Sequence, residues 1–176
     1  SSVPLAGRLP ILSQRDLSLP MVKSAVFMTG AESSRDLPRL VSDAVVPDGI
    51  KLVPTLNEYV GDMSDHGVFR KHGVPYLFLS CGRWAHYHLP TDTPDRLNYT
   101  KMARITDLTC RILENVTSET LTTNVSDDHT LAYEIDAFKK FAGPFLPLLK
   151  KRAQLQGFNS REDMTAMVNA LLMTGL

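Results

Sequence analysis

The sequence predicts an α/β fold, with part of a mostly parallel sheet flanked by helices and a helical extension at the C-terminal end. Three short apolar runs, residues 23–29, 50–53 and 74–80, have the length and composition of buried strands. Helix-sized segments with one apolar face lie between them. Strands that alternate with helices favour a parallel sheet, because parallel neighbours need crossover connections. After residue 126 only helical patterns remain, which predicts the extension.

The first part of the chain carries the strands. Residues 1–22 contain three prolines and no sustained periodicity, which predicts an extended lead-in segment. A helix capped by Ser33 or Ser34 is predicted between the first two strands. A second helix over residues 65–72 precedes the third strand, which is expected to lie in the interior of the sheet. An amphipathic helix over residues 98–116 closes this part.

The second part is predicted to be helical throughout. Its first helix should break at Gly143 and Pro144, because proline cannot continue the hydrogen-bond ladder. Ser160 followed by Asp163 is typical of a capping box, which predicts the start of the last helix. The predicted organisation therefore has four segments: a lead-in at 1–22, an α/β unit at 23–116, a linker at 117–126 and a helical extension at 127–176.

Composition and charge argue against two classes of function. Lys and Arg total 19 and Asp and Glu total 19, with no basic cluster interleaved with aromatics, so we expect no nucleic-acid partner. The longest apolar run, residues 74–79, is far too short to span a membrane. Cys81 and Cys110 have no metal-ligand spacing and are predicted to be buried free thiols. Because Ser1 opens the sequence, the natural start is expected upstream, and the compartment is unknown.

The residues with catalytic or metal-binding chemistry concentrate in residues 64–99, which contain four of the five histidines. His86 and His88 follow the third predicted strand, and α/β sheets place ligands at the carboxyl ends of their strands. A neutral imidazole there can coordinate zinc, with Asp65 or Asp92 orienting the ring or adding a carboxylate ligand. The alternative is that these histidines are ordinary polar groups of a surface loop, and their spacing alone does not decide between the two.

Several short motifs follow one another in a fixed order: Gly30-Ala31-Glu32-Ser33-Ser34, Ser64-Asp65-His66, Gly73-Val74-Pro75, Tyr87-His88 and Asp92-Thr93. Together they resemble the C-terminal signature of the co-catalytic zinc aminopeptidases, a family that includes leucyl-type aminopeptidases, glutamate carboxypeptidases and glutaminyl cyclases. The resemblance covers about residues 20–116 and implies a zinc exopeptidase fold for that region. No single motif is specific, and the order and separation of the motifs carry the resemblance.

The resemblance implies roles for three residues. In the family, two zinc ions are held by histidines and carboxylates, and a separate Glu acts as general base on the metal-bound water. His88 corresponds to the last of these ligands, and Tyr87 to a residue that in some members hydrogen-bonds to the developing oxyanion. Asp65 corresponds to an acidic residue near the metal site, although it would serve equally as a helix N-cap. His86 has no counterpart and is expected to be a neighbouring group.

The resemblance also implies that most of the zinc site lies outside this chain. The family's other ligands and its general base precede the matching region, and residues 1–22 supply none of them. A tight zinc site usually needs three or four protein ligands, so His88 alone should not hold zinc strongly. We therefore expect the chain to be the C-terminal portion of a zinc metallopeptidase of the aminopeptidase type, which needs a missing N-terminal half to act on peptide substrates.

Two other functions stay open at this point. The chain can be a non-catalytic homologue or fragment that acts in assembly, with the helical extension as a contact between copies. A glutaminyl cyclase fits less well, because that branch typically has Trp before the ligand histidine and Asp-Asn after it, where this chain has Tyr87 and Asp92-Thr93. The resemblance favours a periplasmic or secreted location for the whole protein.

Overall fold

The computed structural model describes residues 23–82, 86–123 and 127–174. The predicted lead-in at 1–22 and the last part of the predicted linker therefore lie outside the described residues. The strands are β1 (Ala25–Thr29), β2 (Lys51–Pro54) and β3 (Phe78–Ser80). The α-helices are α1 (Leu37–Ser42), α2 (His66–Lys71), α3 (Tyr99–Thr117), α4 (Leu131–Ala142), α5 (Leu146–Arg152) and α6 (Arg161–Thr174).

The three strands form one mixed sheet in the order β2-β1-β3. β1 pairs with β2 in parallel, with Ala25 opposite Lys51. β1 pairs with β3 in the antiparallel sense, with Phe27 opposite Ser80. The predicted α/β class is confirmed at this level, but one of the two ladders is antiparallel, where a mostly parallel sheet was predicted. β3 also lies at an edge of the described sheet and not in its interior.

The direction of β3 follows from where the chain is held before this strand begins. The register places Phe78, the first residue of β3, opposite Thr29, the last residue of β1. The chain therefore does not return across the sheet before β3 starts. Tyr76 stays beside Gly30 at the carboxyl end of β1, and its backbone N–H donates to the Ser33 hydroxyl at 3.0 Å. β3 consequently begins only at Phe78 and runs back along β1.

Helices cover both faces of the sheet. Val26 and Met28 point to one face, where they pack in a cluster with Val41 of α1 and Leu108 of α3. Successive strand residues point to opposite faces, so Ala25 of β1 contributes to the other face. There it shares a second cluster with Val53 of β2 and with residues of the predicted extension: Ile135, Phe138, Phe141, Leu149, Met164 and Met167. The extension thus forms one of three layers, α1 with α3, the sheet, and α4 to α6.

Local signals explain where several helices begin. The Asn98 side chain accepts a hydrogen bond from the Lys101 amide at 2.9 Å and caps α3. Ser160 and Asp163 form the predicted capping box of α6, with the Asp163 amide 3.1 Å from the Ser160 hydroxyl. α1 differs from the prediction, because it begins at Leu37 after Asp36 and neither Ser33 nor Ser34 is its N-cap residue.

Two findings concern the surface. Cys81 and Cys110 are both exposed, so the prediction that they are buried was wrong. Cys110 lies on the outward side of α3, whose buried residues are Leu108 and Ile112. Within the described residues, no helix combines the length and the apolar character that a membrane crossing requires.

Candidate functional site

The two residues predicted nearest to the zinc, Tyr87 and His88, lie in the turn that follows β3. Both side chains are exposed, and their ring centroids are 4.0 Å apart. His88 has a φ of 58°, in the left-handed region that costs a non-glycine residue roughly 1–2 kcal/mol. Histidine is among the residues that adopt this conformation more readily than most. The backbone conformation thus turns the chain sharply at the predicted ligand and leaves its imidazole accessible.

His86 takes part in a small hydrogen-bond network that leaves neither ring nitrogen free. Its Nδ1 lies 2.8 Å from the Thr91 hydroxyl, and its Nε2 lies 3.3 Å from Arg96 Nη1. A guanidinium can only donate, so Nε2 accepts and Nδ1 carries the hydrogen that is donated to Thr91. His86 therefore links Thr91 and Arg96, two residues of the segment that follows His88. This arrangement suits the neighbouring role expected for His86 and not the role of a metal ligand.

Asp65 lies at the N-cap position of α2, on the exposed surface. Its carboxylate makes no capping hydrogen bond to the first amides of the helix, so the capping role weighed from the sequence is not realised. The next residue, His66, is only 5% exposed and anchors the start of α2. Its ring stacks on Phe78 with centroids 4.4 Å apart, and its Nε2 lies 3.1 Å from the carbonyl oxygen of Gly61.

The antiparallel direction of β3 changes where the predicted residues lie. Ser80, the last residue of β3, is opposite Phe27, whereas Phe78 is opposite Thr29 at the end of β1. The chain therefore leaves β3 toward the edge of the sheet where β1 begins. The rule about the carboxyl ends of parallel strands, which was applied to His86 and His88, does not hold for this strand. Asp65 and α2 instead lie near the start of β3.

The described residues do not form a zinc site by themselves. No group of three or more His, Cys, Asp or Glu side chains in the part of the chain that the structure describes is arranged to hold a metal ion. His88 would provide one imidazole, whereas structural and catalytic zinc sites use three or four protein ligands. Zinc binding by this chain would accordingly need ligands from elsewhere.

A cleft that the sequence reasoning missed lies at the edge where β1 and β2 end. Its volume is about 490 Å³, and its polar lining includes Glu32, Asn57, Glu58, Asp62 and Arg70. Glu32 follows β1 and Asn57 follows β2, and these two strands are parallel. The same carboxyl-end rule, if applied to the first two strands, would have identified these residues from the sequence.

Hydrogen bonds hold the walls of this cleft together. The Glu32 carboxylate accepts from the Gly30 amide at 3.0 Å and from the Asn57 amide at 2.6 Å, so it joins the loops that follow the two parallel strands. Asp62 receives two hydrogen bonds from the Arg70 guanidinium, at 2.7 and 2.5 Å. These bonds from Arg70 are the main cause that lowers the pKa of Asp62 to about 2. Asp62 is therefore ionised at neutral pH.

A comparison with known proteins identifies the family to which this chain is similar. Residues 15–113, more than half of the chain, match Peptidase family M28. The chain belongs to this family. The match begins before the first described residue and ends within α3, so α4 to α6 lie beyond it. It agrees with the resemblance seen in the motifs at the level of the family.

One curated relative is the "Uncharacterized protein YfbL" of Escherichia coli strain K12, to which the chain is 42% identical over 57 residues. The aligned region is 31% of this chain and 18% of the relative, so the chain spans less than a fifth of that protein. No solved structure matches the chain.

Proposed function

We propose that this chain is the C-terminal portion of a zinc-dependent metallopeptidase of the aminopeptidase type, and that it is inactive in isolation. Membership of Peptidase family M28 carries this proposal. The order of Asp65, Tyr87 and His88 along the chain supports it, because each has a counterpart in the resemblance. In such an enzyme, bound zinc would polarise a water molecule for hydrolysis of the first peptide bond. A periplasmic or secreted location is part of the proposal.

Three residues of this chain receive roles in the proposal. His88 is one zinc ligand, and its exposed imidazole supports this role. Tyr87, whose ring touches that of His88, donates a hydrogen bond to the oxygen of the peptide carbonyl. The resemblance gives Asp65 the role of an acidic residue near the metal site, although here it lies with α2 near the start of β3, at the other end of that strand from the turn that holds His88. The remaining ligands and the general base come from another segment of the whole protein.

The surface around β3 supports the idea that another segment covers it. Several large apolar side chains there are exposed, among them Val68 (61%), Phe69 (50%) and Leu113 (54%). An apolar groove of about 220 Å³ lies between β3 and α3. β3 also presents one unpaired edge in the described sheet. An edge strand with neighbouring exposed apolar residues favours pairing with a further strand.

Zinc content and peptidase activity test the proposal. We expect the isolated chain to leave aminoacyl p-nitroanilides intact and to bind less than one zinc ion per chain by atomic absorption. A longer polypeptide that carries the remaining ligands should bind zinc stoichiometrically and hydrolyse these substrates. There, His88→Ala should lower zinc content and activity together, whereas the control His72→Ala should change neither. Zinc-dependent turnover by the isolated chain, or an active His88→Ala variant with full zinc content, would refute it.

The second candidate is a non-catalytic role in assembly, favoured by exposed apolar residues at α5. Phe145 is 41% exposed and Leu148 is 52% exposed. In that case the chain should form dimers in analytical ultracentrifugation, and Leu148→Lys should return it to the monomeric state. A monomer at all concentrations would exclude this role. A glutaminyl cyclase remains the less favoured third option, and a failure to cyclise N-terminal glutamine by the longer polypeptide would exclude it.

A further inference from the structure

The α4–α5 corner, residues 139–152, exposes large apolar side chains where the chain changes direction. Gly143, with a φ of 50°, follows the last residue of α4, and Pro144 lies in the short 3₁₀ turn that leads into α5. Phe145 and Leu148 come next, and both side chains are exposed. Neighbouring exposed apolar side chains favour contact with another surface.

The fold holds these two side chains on the outer side of α5. Leu149, the residue after Leu148, is only 4% exposed and packs in the cluster that α4 to α6 form over the sheet. Leu146 packs against the same cluster. Phe145 and Leu148 are three positions apart, a spacing that brings side chains to one face of a helix. They therefore project from a helix whose opposite face is anchored.

The sequence around these side chains is strongly basic, although the whole chain has as many acidic as basic residues. No Asp or Glu occurs between Asp136 and Glu162. Cations instead occupy the last turns of the two helices of the corner: Lys139 and Lys140 in α4, and Lys150, Lys151 and Arg152 in α5. The helix dipole favours cations in a last turn, which accounts for their positions but not for the exposed apolar side chains between the two groups.

Two of these cations lie beside Leu148. Lys151 and Arg152 come three and four positions after it, so the three side chains share one face of α5. Both cations are exposed, and within the described part of the chain neither takes part in a salt bridge. A partner that covers this face must therefore pair with positive charge and surround apolar side chains at the same time.

This combination discriminates between possible partners. A second copy in a two-fold contact through Leu148 would bring Lys151 and Arg152 of both copies together, and such contacts between like charges are unfavourable. A purely acidic partner would pair with the cations but would leave Phe145 and Leu148 in a polar environment. The surface of an anionic bilayer satisfies both requirements, because its acidic headgroups lie directly above the acyl chains.

We propose that the α4–α5 corner binds the surface of an anionic phospholipid bilayer. Phe145 and Leu148 enter the boundary between headgroups and acyl chains, while Lys151 and Arg152 pair with the lipid phosphates. The contact is peripheral and reversible, because it uses two apolar side chains and a small number of cations. It requires neither zinc nor His88, so it goes beyond the proposed function and can fail or succeed independently.

Co-sedimentation of the full chain with vesicles tests the proposal. Vesicles of phosphatidylcholine alone are compared with vesicles that also contain about 30% phosphatidylglycerol, an anionic lipid. We expect binding to the anionic vesicles to be at least about tenfold tighter than to the neutral ones. Raising NaCl from about 0.1 M to about 0.5 M should weaken this binding, because salt screens exposed charges. No binding to anionic vesicles, or equal binding to neutral ones, would overturn the proposal.

Two double variants test the residues. Lys151→Gln with Arg152→Gln removes two cations, each of which contributes about fivefold near an anionic surface, and should weaken binding about tenfold to thirtyfold. Phe145→Ser with Leu148→Ser removes the apolar contact and should weaken binding about tenfold. Because all four side chains are exposed, we expect both variants to fold, which far-UV circular dichroism checks. Unchanged binding in both folded variants would refute the assignment.

A matched control makes the same kinds of change elsewhere. Val68→Ser with Lys71→Gln replaces an exposed apolar residue and an exposed cation three positions apart on α2, the spacing of Leu148 and Lys151. This control should bind anionic vesicles as the parent chain does. An equal loss of binding in the control would show that the vesicles do not recognise the α4–α5 corner, which contradicts the proposal.

Two measurements examine the other partners. Analytical ultracentrifugation without lipid should show a monomer, whereas a dimer that Leu148→Ser dissociates would assign this face to a second copy and overturn the proposal. Polyglutamate, which carries negative charge without an apolar layer, should bind more weakly than anionic vesicles at the same concentration of charge. Equal binding to polyglutamate, with no loss in Phe145→Ser combined with Leu148→Ser, would assign the corner to an acidic protein instead.

Discussion

The buried ion pair between α4 and α6 gives the clearest quantitative test of the fold. Glu134 is 2% exposed and accepts hydrogen bonds from Arg161 Nη1 at 2.9 Å and from the Thr130 hydroxyl. Replacing Arg161 with Met leaves the carboxylate buried with no cation beside it. Removing one partner of a buried pair costs roughly 3–5 kcal/mol. Because Thr130 still donates and the Arg161 side chain is 18% exposed, we expect the lower end of that range.

Urea unfolding measures this cost directly. With an m-value of about 2 kcal/mol per M, a loss of about 3 kcal/mol lowers the unfolding midpoint by about 1.5 M. A matched control exists on α4, where Lys140 lies 2.6 Å from Asp136 with both side chains largely exposed. Lys140→Met should change stability by less than about 1 kcal/mol, because solvent screens an exposed pair.

A double variant separates the charge effect from lost packing. Glu134→Leu combined with Arg161→Met replaces both charges with apolar side chains, and such replacements are often neutral or stabilising. We expect the double variant to be more stable than Arg161→Met alone. The reasoning would be refuted if Arg161→Met and Lys140→Met had equal costs, or if the double variant were no more stable than Arg161→Met alone.

Two further predictions concern the cleft. Asp62 has a pKa of about 2 instead of 3.8, so its pairing with Arg70 stabilises the fold above about pH 4 and is lost as the pH falls toward 2. Asp62→Asn should therefore reduce the fall of the melting temperature between about pH 4 and pH 2. The same fall of the melting temperature in the variant would contradict the pairing. Gly30→Ala places a methyl group against Tyr76 in a left-handed conformation and should lower the free energy of unfolding in urea by about 2 kcal/mol or more. In the control Gly73→Ala the added methyl group meets no atom within 4 Å, so this variant should lose only about 1 kcal/mol. Equal losses in the two variants would contradict the steric argument.

The features that the sequence predicted correctly depend on short-range signals. The first two strands, the helix that Asn98 caps and the capping box at Ser160 and Asp163 follow from residues at most three or four positions apart. The direction of β3 does not, because it depends on the packing of Tyr76 beside Gly30, a residue far away in the sequence. The packing of the extension against Val53 could not be predicted from the sequence either, since an apolar helix face does not specify its partner.

For the candidate site, the motifs identified individual residues but did not predict how the residues around them are arranged in space. His88 and Tyr87 were found from their order in the chain, and the structure places them side by side in a turn. No sequence pattern predicted that the side-chain oxygen of Asn57 is buried without a hydrogen-bond partner, because this depends on the position of Asp62 five residues later. The membership in Peptidase family M28 agrees with the motifs, while the residues that would complete a zinc site are not among those described.

The helical extension lies beyond the family match, yet it supports the cleft. Asn57 and Glu58 share a short 3₁₀ turn with Tyr59, whose hydroxyl lies 2.9 Å from Thr165 Oγ1 on α6. Tyr59 is also buried in the cluster that α4 and α6 form over the sheet. The extension therefore helps to hold the turn that contributes Asn57 and Glu58 to the cleft lining. Thr165→Val removes one anchor of this turn and should lower the free energy of unfolding by about 1 kcal/mol. Urea unfolding measures this loss, and unchanged stability would contradict the anchoring role.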